Sequence, residues 1–557
     1  MSDKNNFDHN VRRNHPERRK SNKNILIGVV AGTFVVAFAI IISLYMIKER
    51  YHKTHFMKGT IINDIDVSGM TIQDVNQKIR QYNLTITERT SDGETVEEII
   101  GGDELGLQLA STDELNDILK SQSKGKWLFG SGQTYTVDDF VKYDQKYYEE
   151  CMGYLQCFSD DFIVKPSDAY ISEYDETEKA FKIIAENQGN LLDEKKAKQL
   201  ISDKILRLDQ KLDLEKEKCY KQPKITSDDN ELNTLLNNMN QFVDVTITYT
   251  FGKNKEVVDG SLISNWLTIG ENQQVSLNMD CVKDYVATLR KRYDTIFRPR
   301  TFKTSYGKEV TIKDGDYGWW MNYGKEATEL AAMINARESG ERTPVYYQTA
   351  ASYDGKDYGD TYIEVNLTAQ HLFYYEDGEL VLESDFVSGN SSRGNATNEG
   401  VFGITYKQRN ATLVGEDYET PVSYWMPFNG HIGLHDATWR SEFGSELYKK
   451  NGSHGCVNLP YAVAKELYGR IQQGTPVICY KLKGTKSEQI TVQTDEEIAQ
   501  SAIDRISEIG NVTKGSEKVI TRARTVYEEL NVAQKKLVTN YDKLVEAEKK
   551  YKELTKK

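Results

Sequence analysis

Residues 25–47 (ILIGVVAGTFVVAFAIIISLYMI) form an apolar run of 23 residues without a charge. At 1.5 Å per residue such a run is long enough to cross a hydrocarbon layer of about 30 Å as one helix. Arg12, Arg13, Arg18, Arg19, Lys20 and Lys23 precede it, and the mixed charges Lys48, Glu49 and Arg50 follow. Basic flanks stay on the cytoplasmic side. The expectation is a cytoplasmic basic tail over 1–24, a single-pass transmembrane helix over 25–47 and an exterior from Lys48 onward. The run is too long for the apolar core of a cleaved signal peptide, and no Ala-x-Ala site follows it.

What lies outside must hold several cores, because 557 residues exceed what one core supports. A net charge of −13 and a pI near 5.4 argue against nucleic acid as a partner. Six cysteines are too few for a disulfide scaffold. Cys151 and Cys157 are near enough in sequence to pair, while Cys219, Cys281 and Cys479 read as small apolar residues.

Along the exterior, 48–139 reads as an α+β segment. Short strands are expected within His55–Thr71, a helix at Val75 and Ile79, and another through Leu115, Ile118 and Leu119 that ends near Trp127. An internal repeat follows. Gly189 leads to a helix with Ala197, Leu200 and Ile201 on one face, and Gly318 leads to one with Ala327, Leu330 and Ile334. Two related α+β modules are expected, over 140–250 and 251–350. From Thr361 the pattern turns to strands. Ile363, Val365 and Leu367 alternate with polar residues, and Asp377-Gly378 marks a tight hairpin. More strands fit Val401–Tyr406, Val422–Met426, Ile432–His435 and Pro476–Tyr480. One helix after Pro460 carries Val463, Leu467 and Ile471.

The chemistry concentrates between His431 and Asn458. A cysteine attacks as thiolate and needs a base beside it. Cys456 follows Ser453-His454-Gly455, and His435 stands upstream of a glycine-rich segment that lets the chain fold back. A metal site from His431, His435, His454 and Cys456 is the rival. In a strand, i and i+4 side chains lie ~13 Å apart, too far for one ion, and no His-Glu-x-x-His glutamate accompanies them.

Residues 361–481 resemble the catalytic domain of L,D-transpeptidases, the YkuD domain. The resemblance rests on His435, seventeen residues from Asp436 to Gly452, and then Ser453-His454-Gly455-Cys456-Val457-Asn458. Thr397-Asn398-Glu399-Gly400 departs from the family's upstream Thr-Pro-x-Gly by lacking the proline. The two repeats resemble peptidoglycan-binding modules that precede such domains; stalks that space the catalytic domain from the membrane are the alternative.

The resemblance implies that Cys456 is the nucleophile and His435 the proton donor and acceptor. His454 and Ser453 support the site, together with Asn458 of the motif, and Gly455 offers backbone N–H groups for an oxyanion. Asp436, Tyr424 and Trp425 are weaker candidates for substrate contact. It further implies acyl transfer between peptidoglycan stem peptides, no cofactor and no metal, and acylation of the same sulfur by penem-type β-lactams. An inactive wall-anchoring scaffold would have lost Cys456 or His435.

Residues 490–557 read as a helical module. Thr494 and Glu497 form a capping box before Ile498, Ile503, Ile506 and Ile509. Val519, Ala523, Val526 and Leu530 mark a second helix, and Leu537, Tyr541, Leu544, Ala547 and Tyr551 a third. The sequence names no partner for it. The expected fold class is thus multidomain: an N-terminal transmembrane helix, α+β repeat modules, a β-rich YkuD-like catalytic domain and a C-terminal three-helix module. The expected place is the cell membrane, with the catalytic domain in the cell-wall space.

Overall fold

The computed structural model describes residues 33–123, 130–415, 419–487 and 490–556. The basic tail and residues 25–32 of the predicted span therefore lie outside the described residues, as does Trp127. A helix runs over Thr33–His52, and among the described residues no helix is long and apolar enough to cross a membrane. The chain divides into two compact units, residues 1–170 with 184–229, and residues 171–183 with 230–557.

In the first unit one core extends from Phe56 to Tyr220. Its centre is a three-stranded sheet. Asn83–Arg89 pairs antiparallel with Thr95–Gly101, and Lys211–Asp213 adds parallel to Asn83–Arg89. Leu84 and Ile86 alternate inward from the middle strand, as a half-buried strand requires. The helix Glu194–Arg207 buries Ala197, Ile201 and Ile205. The Asp193 carboxylate caps it by accepting from the Lys196 N–H at 3.2 Å.

The second unit opens with the same plan. Ile247–Phe251 forms a hairpin with Asn254–Val258, and Gly340–Arg342 adds parallel to Ile247–Phe251. The preceding helix Tyr323–Ala336 is capped by Asn322, and both repeat helices end on a left-handed residue, Leu208 at φ 59° and Arg337 at φ 61°. Neither is glycine, so each end carries a steric cost. Arg337 offsets it by donating from Nη1 to the carbonyls of Ile334 and Asn335 at 3.1 and 2.8 Å.

The repeat is thus longer than its sequence signal. Each copy begins with the hairpin and closes with the helix and third strand. The boundary expected at 139/140 falls inside the first core, and that at 250/251 cuts the strand Ile247–Phe251. The first hairpin escaped notice because Thr87, Glu88, Glu97 and Glu98 interrupt its apolar positions. Cys151 and Cys157 are both free rather than paired, and Cys157 is buried.

Glu326 shows how the second module tolerates a carboxylate in its core. It is fully buried, yet it accepts from Tyr249 Oη at 2.6 Å, Arg342 Nε at 2.6 Å, Arg342 Nη2 at 3.0 Å and the Val345 N–H at 2.7 Å. Four hydrogen bonds from three groups, one of them a bidentate guanidinium, replace the water it gave up.

The catalytic region holds two sheets around one core. The five-stranded sheet runs Glu379–Asp385, His371–Glu376, Tyr362–Asn366, Pro476–Tyr480, Gly400–Gly403. Tyr362–Asn366 is buried along its whole length. The predicted turn is there, with Asp377 at φ 50° and Gly378 at φ 85°. The four-stranded sheet runs Gln408–Val414, Glu419–Asn429, Ile432–Asp436, Val457–Leu459. The helix Tyr461–Arg470 follows Pro460 as expected and buries Tyr461, Ala464 and Leu467.

Phe302, Ile312 and Tyr317 of the preceding module pack with Tyr362, Val401, Ile478 and Tyr480 in one apolar cluster. The C-terminal module has four helices rather than three: Asp495–Ser507, Glu517–Glu529, Val532–Leu537 and Tyr541–Thr555. Asn531 and Gln534 make their own capping box, so Leu537 ends a short helix and does not begin the last one. Nor is the module separate. Asp504 accepts from Tyr461 Oη at 2.7 Å and Lys465 Nζ at 2.6 Å, and the buried Arg505 donates from Nη2 to Ser423 Oγ at 3.3 Å.

Candidate active site

The four-stranded sheet brings His435 and Cys456 together by register. Ile432–Asp436 lies parallel to Val457–Leu459 with His435 opposite Asn458, and antiparallel to Glu419–Asn429 with His435 opposite Trp425. Side chains two residues apart share a face. Cys456 therefore stands on the face of Asn458, one step diagonally from His435, with Trp425 on the far side of the ring. The Trp425 and His435 ring centroids are 5.9 Å apart, and Cys456 packs against the cluster of Ala411, Val422 and Trp425. Twenty intervening residues of sequence collapse to one strand spacing.

His435 is buried, and its Nδ1 lies 2.8 Å from the backbone carbonyl of Asp436. A carbonyl only accepts, so Nδ1 carries the proton and Nε2 presents a lone pair. The Cys456 thiol is half-buried and donates to the His431 carbonyl at 3.5 Å. The turn before it is tied by Ser453. Ser453 Oγ donates to the Cys456 carbonyl at 2.5 Å and accepts the Gly455 N–H at 3.1 Å. Gly455 has φ 127°, which disfavours a side chain, and its carbonyl accepts from Thr397 Oγ1 at 2.7 Å.

The family model for the L,D-transpeptidase catalytic domain matches residues 360–479, and the model for a peptidoglycan-binding domain matches residues 225–342. A crystal structure of an Enterococcus faecium L,D-transpeptidase, a Cys-to-Ser mutant, is 38% identical over 44% of this chain and 99% of that chain, with a TM-score of 0.38. The chain belongs to the L,D-transpeptidase family. The solution structure of an E. faecium L,D-transpeptidase catalytic domain acylated by ertapenem is 48% identical over 22% of this chain and 98% of that one, TM-score 0.21. Among curated proteins nothing matches. The relation rests on sequence identity, and the two matched domains imply peptidoglycan as the substrate of this transpeptidase.

Not every expected residue faces the transpeptidase's thiol. Asp436 is buried on the opposite side of its strand, where its carboxylate accepts the N–H groups of Ser423 at 2.8 Å and Tyr424 at 2.7 Å. It braces the sheet through those two backbone groups. Tyr424 is a core residue beneath the same sheet, with the Arg409 guanidinium 4.3 Å from its ring. Trp425 does line the site, and its Nε1 donates to Tyr406 Oη at 3.3 Å. His454 is exposed. Asn458 is buried with its Oδ1 lacking a hydrogen-bond partner among the described residues. The Gly455 N–H is engaged by Ser453 and does not face an oxyanion.

Sequence reasoning passed over Trp439 and Arg440. The Trp439 ring lies 5.9 Å from that of His435 and is half exposed, at 49%. Both sit on an irregular loop, where neither strand nor helix periodicity marks a side chain as inward. Only their closeness in sequence to His435 could have singled them out.

Burial sets the resting charge state of the transpeptidase. It pushes the His435 imidazole down to about 4, an effect that the Asp436 carbonyl opposes and the Arg440 charge reinforces. Burial pushes the Cys456 thiol up to about 11. Both shifts favour thiol beside neutral imidazole in the free enzyme at neutral pH, and a thiol near 11 corresponds to a thiolate fraction of ~10⁻⁴ at pH 7. Alkylation of Cys456 by iodoacetamide, followed on its own peptide by mass spectrometry, should be slow at pH 7. It should climb about tenfold per pH unit toward 11. A fast rate that is level from pH 5 to 9 would mean a thiolate–imidazolium pair instead.

Proposed function

We propose that this chain is a membrane-anchored enzyme that forms 3→3 cross-links in peptidoglycan through a Cys456 thioester, releasing D-alanine. The observation that carries the proposal is the shared face of Cys456 and His435, with His435 Nδ1 tied to a carbonyl so that Nε2 is the basic atom. Cys456 Sγ attacks the carbonyl of the diamino acid in a tetrapeptide stem while His435 Nε2 takes the thiol proton. The Cys456 N–H is the donor placed to meet the oxyanion. Collapse breaks the amide bond, and the imidazolium returns its proton to the leaving D-alanine amine. The side-chain amine of a second stem then attacks the thioester, loses a proton to His435, and frees the thiol. One amide is exchanged for another, so no cofactor is consumed.

The apolar run 25–47 supports the anchor, with the remainder in the cell-wall space. The two repeat modules hold glycan or set the distance from the membrane. By the same chemistry penem-type β-lactams acylate Cys456, as ertapenem acylates the E. faecium domain.

The test is mass spectrometry of full-length protein in detergent with disaccharide-tetrapeptide. A dimer one D-alanine lighter than two substrates is expected. Tripeptide alone would make hydrolysis the main outcome, and a chelator-sensitive product would replace the thioester with a metal mechanism.

A further inference from the structure

The loop that joins the base to the nucleophile carries a cation with no counter-charge. Arg440 is half-buried, and its Nη1 donates to the Asn451 carbonyl at 2.8 Å. Its Nε is buried and meets no acceptor, and among the described residues no carboxylate lies within ion-pair distance of it. Arg300, Arg342 and Arg524 are paired with Asp357, Glu326 and Glu548 at 2.7, 2.6 and 2.6 Å, whereas Arg337 and Arg505 share the unmet Nε of Arg440; Arg440 differs from those two in standing on the loop that follows the His435 strand. A guanidinium offers five N–H donors, and one neutral carbonyl leaves the charge and most of the fork unmet.

The cation is held in place. The Arg440 N–H donates to the Ala437 carbonyl at 3.1 Å, and its own carbonyl accepts from Gln493 Nε2 at 3.0 Å. Gln493 is itself buried and hydrogen-bonded to Ser441 and Tyr461. The Arg440 charge is also near enough to His435 to depress its basicity, after burial the second effect in that direction. A partly shielded cation held on the loop that follows the His435 strand is a site for an anion that arrives with the reactants.

In the chemistry proposed above, on which this inference rests, one reactant group satisfies that description. The leaving D-amino acid bears its carboxylate one carbon from the amine that His435 protonates. We propose that Arg440 is the specificity-determining residue for the acyl-donor stem and binds the carboxylate of the D-amino acid that leaves. Bound carboxylate neutralises the Arg440 charge that opposes His435, so the correct donor raises the basicity of its own base. A stem whose terminal carboxylate is amidated lacks this pairing.

The experiment compares disaccharide-tetrapeptide with its C-terminal carboxamide as acyl donors for the full-length protein. Wild type should favour the free acid by roughly 10–100-fold in kcat/KM, the range of a charge-assisted pair. R440Q should lower the rate on the acid far more than on the carboxamide, so that their ratio falls toward one. R440K keeps the charge without the fork and should fall between. A wild-type ratio near one overturns the proposal without any variant. A preference that survives in R440Q and R440K overturns the assignment to Arg440. Should R440Q be inactive on both donors, the R440K ratio decides by the same rule. Failure of the transpeptidase chemistry itself looks different: no Cys456-dependent product from either donor.

Discussion

Replacing Cys456 by alanine should lower dimer formation by ~10⁴-fold or more, as removal of a catalytic nucleophile does in other acyl-transfer enzymes. No neighbour can stand in. Ser453 Oγ is committed on both sides, donating to the Cys456 carbonyl and accepting the Gly455 N–H. His454 is exposed. The loss should come without unfolding. Cys456 precedes the strand Val457–Leu459, and that strand keeps its pairing through backbone groups that alanine preserves. Product mass at fixed time, with a thermal melt of the same sample, separates chemistry from stability. Dimer within about 100-fold of wild type from a folded variant would remove Cys456 from the mechanism.

How far the sequence carried is clearest at this site. His435 and Cys456 were legible because a cysteine nucleophile needs a base and the spaced motif from His435 to Ser453-His454-Gly455-Cys456-Val457-Asn458 names both, while the parallel pairing of Ile432–Asp436 with Val457–Leu459 that joins them was not. Asp436 misled because adjacency in sequence looks like adjacency in space, while a strand sends successive residues to opposite faces. Arg440 was invisible for a different reason. What marks it is an unmet Nε together with a place on the loop that follows the His435 strand, and both are properties of packing. The hairpin Asn83–Arg89 with Thr95–Gly101 shows the same limit, since its charged positions hid a repeat that its pairing reveals. The docking of the C-terminal module was unreadable too, because Asp504 and Arg505 look like exposed residues of an amphipathic helix until Tyr461 and Ser423 are set against them.

His435→Ala should be the second most damaging change, and its pH dependence tells more than its size. In wild type the imidazole, lowered to about 4, is neutral and basic at every pH above that value. The rate on the free enzyme should therefore be lost as pH falls through about 4 and stay level above it, until the thiol itself ionises near 11. Without the imidazole, attack depends on the small fraction of thiolate that solvent provides. At pH 7 the loss should be about 10³–10⁴-fold, the upper part of what a positioned base contributes. Each pH unit then restores roughly tenfold up to the thiol pKa. The recovery stays incomplete because the leaving amine still lacks its acid. kcat/KM measured for both proteins between pH 5 and 10 decides the matter. A ratio that does not change with pH would mean that His435 orders the site without moving a proton, and Cys456 would then need its base from the substrate.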